Sequence, residues 1–192
     1  MLLPHFVRTW RKSSLALSSN ATSDSDEGML FKVPSGEPFA RRERETVKEG
    51  GFMSQEERHV SLLKEAYKKW HETKAGSVEH WLELMTDDIQ FRSLGSGAPK
   101  MEFTRTSTCK EEVKDYFSQL TSEWEMIHYT IDEYIAQGDR VVALGRCGFR
   151  NKRTGKVLET PKADFHRFRN GKMCEFFEFY DTAQLIAKAT SD

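Results

Sequence analysis

The residues best placed to do chemistry lie on either side of one tight bend. Lys162 to Asp181 reads KADFHRFRNGKMCEFFEFYD, two alternating runs joined by Asn170-Gly171, a dipeptide that strongly marks a hairpin. The first run carries Asp164 and His166, and the second carries Glu175 and Glu178. Carboxylic acids and an imidazole on one face of a sheet can hold and move a proton near neutral pH. Which acid joins them depends on the bend. A two-residue turn at Asn170-Gly171 sets Asp164 and His166 on a face with Glu175 and Phe177. A three-residue loop from Arg169 to Gly171, with Gly171 left-handed, shifts the partner strand by one. Asp164 and His166 then share a face with Cys174, Phe176, Glu178 and Tyr180.

Other chemistries are poorly supplied. His128 and His166 could act as acid and base or ligate a metal with Glu178, but neither has close metal-ligand spacing, so no metal is expected. Ser93 and Cys174 lack the neighbours that activate a nucleophile, which disfavours a covalent intermediate. The sequence contains no Gly-rich phosphate loop, nucleotide fingerprint or kinase signature, and no cofactor is expected. A net charge of -1 and a pI near 6.6 argue against nucleic acid or a membrane surface as partner. No apolar run is long enough to span a bilayer. The 3 cysteines, Cys109, Cys147 and Cys174, show no CxxC spacing and read as small core residues in a reducing compartment.

The elements that must position these groups follow from periodicity. The chain of 192 residues has the apolar content for one core. Residues 1–53 read as an extension and 54–192 as the domain. Within the extension, residues 1–23 are basic, serine-rich and free of acids. That composition suits either an organelle transit peptide, giving a mitochondrial or plastid location, or a disordered tail of a cytoplasmic protein. The polar stretch after it reads as linker.

Ser54 and Glu57 form a capping box opening a helix with Val60, Leu63, Tyr67 and Trp70 on one stripe. Ser77 caps a shorter helix burying Val78, Trp81, Leu82 and Met85, and Asp88 to Leu94 alternates as a strand. Thr108 and Glu111 form a second capping box before a helix that buries Val113, Tyr116, Phe117 and Leu120. The period then switches to alternation over Trp124 to Ala136, Arg140 to Arg150, Val157 to Arg169 and Lys172 to Tyr180. A short helix, Thr182 to Ala189, closes the chain. The fold class is α+β: a cone-shaped, curved, antiparallel or mixed sheet wrapped around three N-terminal helices, with a short C-terminal helix. Such a cone encloses a pocket for a small molecule.

With LLKEAYKKWHETKAGSVEHWLELMTDDIQF at its front and ETPKADFHRFRNGKMCEFFEFYDTAQLIAK at its back, the domain resembles the nuclear transport factor 2-like superfamily, specifically its SnoaL-like, ketosteroid-isomerase-related members. GDRVVALGR, RFRNGK and EFYDTA carry the resemblance most specifically. It implies the even-numbered strand positions line the pocket, which selects the three-residue loop. The inner face would then hold Met126, His128, Tyr134, Val142, Leu144, Arg146, Asp164, His166, Phe168, Phe176, Glu178 and Tyr180. The outer face would hold Ile127, Tyr129, Ile131, Ile135, Val141, Cys147, Phe149, Phe165, Phe177 and Phe179. So apolar an exterior implies a homodimer.

The resemblance also implies roles. Asp164 lies where the isomerases keep an oxyanion-stabilising aspartic acid, and Tyr67 looks like the tyrosine that shares that task. Their general-base aspartate falls on Ser93, which makes steroid isomerisation doubtful. Arg146 and Glu178 are similar to two members of the Asp, Arg, Asp set of limonene-type epoxide hydrolases, whose third member falls on Gly148. Arg146 could equally neutralise Glu178 or Asp164 as a structural pair. The implied function is isomerase, cyclase or lyase chemistry on a small hydrophobic molecule, with Asp164 and Tyr67 on the oxygen, Glu178 or His128 moving the proton and Arg146 tuning the charge. The alternatives are a non-catalytic binding protein, a dimerisation module, and an epoxide-hydrolase-like enzyme with an incomplete Asp, Arg, Asp set.

Overall fold

Ser54 starts the first helix as its sequence dictates. Its Oγ accepts from Glu57 N at 3.1 Å, while Glu57 Oε2 accepts from Ser54 N at 2.8 Å, closing both halves of the box. In the computed structural model, which describes residues 52–190, this helix α1 (Gln55–Glu72) buries Leu63, Ala66, Tyr67 and Trp70. The expected leader over residues 1–23 and the linker after it lie outside the described residues.

Helix α2 (Val78–Leu84) buries Trp81 and Leu82, and helix α3 (Lys110–Glu123) buries Val113, Tyr116 and Phe117. Cys109, not Thr108, caps α3, because Thr108 instead donates its amide at 2.6 Å and its hydroxyl at 3.1 Å to Glu112 Oε2. Helix α4 (Thr182–Ala189) is capped by Asp181, whose Oδ1 accepts from Gln184 N at 2.9 Å.

The strands are β1 (Met85–Ser93), β2 (Trp124–Gln137), β3 (Arg140–Asn151), β4 (Val157–Arg169) and β5 (Lys172–Phe179). They form one curved, open sheet in the order β1-β5-β4-β3-β2, antiparallel except where β1 runs parallel to β5. The α+β architecture is as expected, with the helices on the inner face of a mixed sheet.

The bend between β4 and β5 corrects one expectation and preserves its consequence. Arg169 pairs with Lys172, so the turn has two residues, with Asn170 at φ 53° and Gly171 at φ 76°. Positive φ at both central positions is the turn geometry that Asn-Gly favours. The extra residue lies further along: Phe168 pairs with Met173 and Arg167 with Glu175, which leaves Cys174 bulged out of the ladder. Beyond the bulge His166 pairs with Phe176 and Asp164 with Glu178, all on the inner face.

The strand faces expected for β2 and β3 are corrected more deeply. In β3 the odd positions Val141, Ala143, Cys147 and Phe149 are buried, whereas Leu144 is half-buried on the other face and Arg146 is exposed. In β2 the register shifts at Ile127 and again at Asp132, so Met126, Tyr129 and Tyr134 all face inward despite their mixed parity. His128 therefore lies on the outer face. There it meets Glu159 at 2.7 Å across Gly148, where a Cβ would sit 2.6 Å from the imidazole and 2.5 Å from the carboxylate. Arg146 also points outward, to Asp132 at 3.3 Å. Neither belongs to an interior site.

Because the pairs on both sides of Cys174 already match a regular two-residue hairpin, deleting Cys174 should keep the fold within about 1 kcal/mol of the parent, by urea unfolding. Deleting Phe177 would turn Glu178 to the outer face and should cost several times more. Equal losses for the two deletions would contradict the bulge.

Candidate functional site

Alternation along β4 sends Thr160, Lys162, Asp164 and His166 into the interior. Lys162 Nζ lies 3.1 Å from Asp164 Oδ1 and donates to Glu178 Oε2, so one ammonium is shared between two carboxyl groups on neighbouring strands. The Oδ1 contact is ionic, without good hydrogen-bond geometry. Asp164 Oδ2 accepts from Tyr67 of α1 at 2.7 Å and from Tyr129 of β2 at 2.6 Å. Tyr116 of α3 donates to Glu178 Oε1 at 2.6 Å. The Tyr67 hydroxyl is also 3.0 Å from His166 Nε2, whose other nitrogen lies 3.2 Å from Val141 O. Lys162, Asp164, His166 and Glu178 are all buried, Asp164 and His166 completely.

Electrostatics fix the protonation of several members. Burial works against the charge of Lys162, but Asp164 and Glu178 outweigh it and hold the ammonium well above its ordinary pKa. A permanently charged lysine is no nucleophile. Burial, then the neighbouring carboxylates, push Tyr67, Tyr116 and Tyr129 far up, so they stay hydroxyls that donate. Burial pushes His166 down to about 3, against the hydrogen bond to Val141, and leaves a neutral imidazole. The Cys147 thiol is pushed up to about 12 by burial and is unreactive. Among the described residues, no group of three or more His, Cys, Asp and Glu could hold a metal ion.

Above this polar floor lies a cavity of about 70 Å³. Lys162, Glu178, Tyr67, Tyr116, Tyr129, Tyr180 and Thr160 form its polar edge, and Trp70, Trp81, Phe91, Phe117, Trp124 and Phe176 supply most of its walls. Of the residues singled out in the sequence, Tyr67, Phe176, Glu178 and Tyr180 line it. Ser93 stands behind the wall, with its Oγ 2.8 Å from the Tyr180 hydroxyl. Asp164 and His166 lie beneath the floor. Met126 is buried outside the lining, and Tyr134 faces a groove between α1 and β2. Leu144, Arg146 and His128 are absent from the lining, as their outer-face positions require.

The sequence reading missed Lys162, Tyr116 and Tyr129 as site residues. Lys162 shares the parity of Asp164 and His166, and that was the available signal. Tyr129 was hidden by the register shift at Ile127.

Comparison with known proteins agrees with this architecture. The model of the SnoaL-like domain matches residues 65–176, and the chain belongs to that family. A nuclear transport factor 2-like protein of unknown function from Burkholderia pseudomallei is 21% identical, with a TM-score of 0.62 over 72% of this chain and 100% of that one. A protein from a Jannaschia species named as a SnoaL-like polyketide cyclase is 15% identical, with a TM-score of 0.60 over 74% and 99%. A Catenulispora acidiphila protein of ketosteroid isomerase-like fold, solved with trimethylamine, is 18% identical, with a TM-score of 0.55 over 67% and 91%. At these identities the likeness establishes the fold. No curated protein matches the chain.

His166 gives the site a pH signature. Its pKa is about 3 when folded, against an ordinary value of 6.5. Between those values the unfolded chain binds a proton that the folded chain does not, so stability is full above pH 6.5 and falls as pH drops toward 3. The slope is about 1.4 kcal/mol per pH unit. His166→Gln removes this term, so its loss of unfolding free energy between pH 7 and 5 should be smaller than the parent's by about 2 kcal/mol. Matching slopes in parent and variant would show that the imidazole is already charged in the fold.

Proposed function

We propose that the cavity is an acid-base active site of the isomerase, cyclase or lyase kind, acting on a small hydrophobic molecule through an enolate-like oxyanion. The observation that carries this reading is the Lys162 ammonium, held between two carboxyl groups at the edge of an aromatic cavity that Glu178 also lines. A fixed cation in a dry site stabilises charge developing on a carbonyl oxygen without reorganising solvent. Glu178, the acid that reaches the lining, takes and returns the proton. Asp164 touches Lys162, Tyr67 and Tyr129 rather than the cavity, so it acts through them as a positioning residue. The neighbour named as a cyclase supports the same class of chemistry.

A second reading, a binding protein without catalysis, is favoured by one observation. Both Glu178 oxygens already have partners, Tyr116 and Lys162. The two readings separate in deuterium oxide. With a panel of cyclic and unsaturated ketones, the catalytic site exchanges α-hydrogens above the buffer rate. Glu178→Gln lowers that exchange by roughly 10²-fold or more. No exchange with any ketone leaves the binding protein.

The outer face of the sheet pairs two copies in this proposal. Ile127, Ile135 and Phe179 are exposed there, and the Arg92 guanidinium stacks 4.8 Å above the Phe177 ring, which packs against Phe179. Phe179→Glu should shift sedimentation from dimer to monomer without unfolding the domain. A parent protein that is monomeric at high concentration would end this part of the proposal.

A further inference from the structure

The closed cavity is smaller than a ring-shaped guest. About 70 Å³ is well below the ~150 Å³ of a dry cavity that accepts benzene, so one wall must move before a ring can enter. Most of the walls are tied to one another. Trp70 meets Trp81 and Phe117 at ring-centre distances of 6.5 and 5.1 Å, and Phe91 meets Tyr116 and Phe176 at 4.8 and 4.4 Å, which joins α1, α2, α3, β1 and β5. The other strands are held by the ladders of the sheet, and the floor by its charges.

Leu185 of α4 is the exception. It is a buried part of the wall, while its neighbours Ala183, Gln184, Ile186 and Ala187 are exposed. The helix packs chiefly on β4, and hydrogen bonds hold it at its two ends. Before the first turn, Asp181 N donates to Thr160 Oγ1 at 2.9 Å. At the far end Thr154 Oγ1 donates to Lys188 O at 2.6 Å, Lys156 Nζ to Thr190 O at 3.2 Å, and Arg153 to Ala189 O. All three of these donors sit in the loop between β3 and β4. Of the lining residues only Leu120 and Tyr180 are partly exposed, and Tyr180 lies in the short link from β5 to α4. The cavity therefore comes to the surface where this helix begins.

We propose that α4 is the lid of the cavity. It lifts from β4 about the link at Tyr180 and Asp181, withdraws Leu185 from the wall and admits the guest, and the Thr154 hydroxyl is part of the latch that holds it shut. Leu185 sets how large a guest fits beneath the closed lid. Entry by this route serves a catalytic and a merely binding cavity alike, and α-hydrogen exchange still decides between those two.

Xenon, a single apolar atom that dry apolar cavities take up, is the probe. Xenon-129 saturation-transfer NMR on the full chain gives its affinity and exchange rate, and amide hydrogen exchange gives the opening of α4. Thr154 lies outside the lining, so Thr154→Val loosens the lid without touching the guest. It should speed xenon exchange and the exchange of the α4 amides together by about fivefold, the worth of one hydrogen bond, and leave xenon affinity within about twofold of the parent. Leu185→Ala should also bind benzene at least about tenfold more tightly than the parent does, because the shortened side chain leaves space under the lid. Xenon exchange that stays at the parent's rate, with or without faster α4 amides, would overturn the proposal. So would a changed affinity at unchanged rates, or a parent protein that binds no xenon. Should Leu185→Ala fail to fold, Thr154→Val decides.

Discussion

One ammonium group organises the interior. Lys162 brings its charge between Asp164 and Glu178, and the tyrosine contacts of Tyr67, Tyr116 and Tyr129 serve to satisfy those carboxyl groups away from water. Tyrosines from α1, β2 and α3 converge because two carboxyl groups need more donors than one lysine supplies. Removing one member of such a buried set leaves another charge uncompensated, which typically costs about 3–5 kcal/mol. The cluster therefore dictates where helices and sheet can meet.

Hydrogen-bond economy also separates the floor from the walls. Below, nearly every donor has an acceptor, which makes the floor stiff and its charges fixed. Above, aromatic rings dominate, and the indoles of Trp81 and Trp124 retain unspent donors. The result is a rigid electrostatic base beneath an aromatic chamber.

The order of elements was legible because it rests on local signals. The capping box at Ser54, the helical stripes and the switch to alternation after Glu123 each read correctly from neighbouring residues. The pairing of Asp164 with Glu178 was legible too, although its cause was misplaced: the extra residue is Cys174, not part of the turn. What could not be read was the facing of β2 and β3. Val141 and Val142, like Ala143 and Leu144, make both faces of β3 equally apolar, and the bulges at Ile127 and Asp132 leave no compositional mark. Arg146 and His128 were consequently sent inward. Lys162 was passed over because a lysine on a strand ordinarily marks solvent.

The placement of Lys162 has a mechanical side. Its ammonium is gripped by acids on β4 and β5 and flanked by rings from β2 and from the end of β5, so one atom is a shared node of three strands. The position of that one nitrogen therefore ties the spacing of β2, β4 and β5 together.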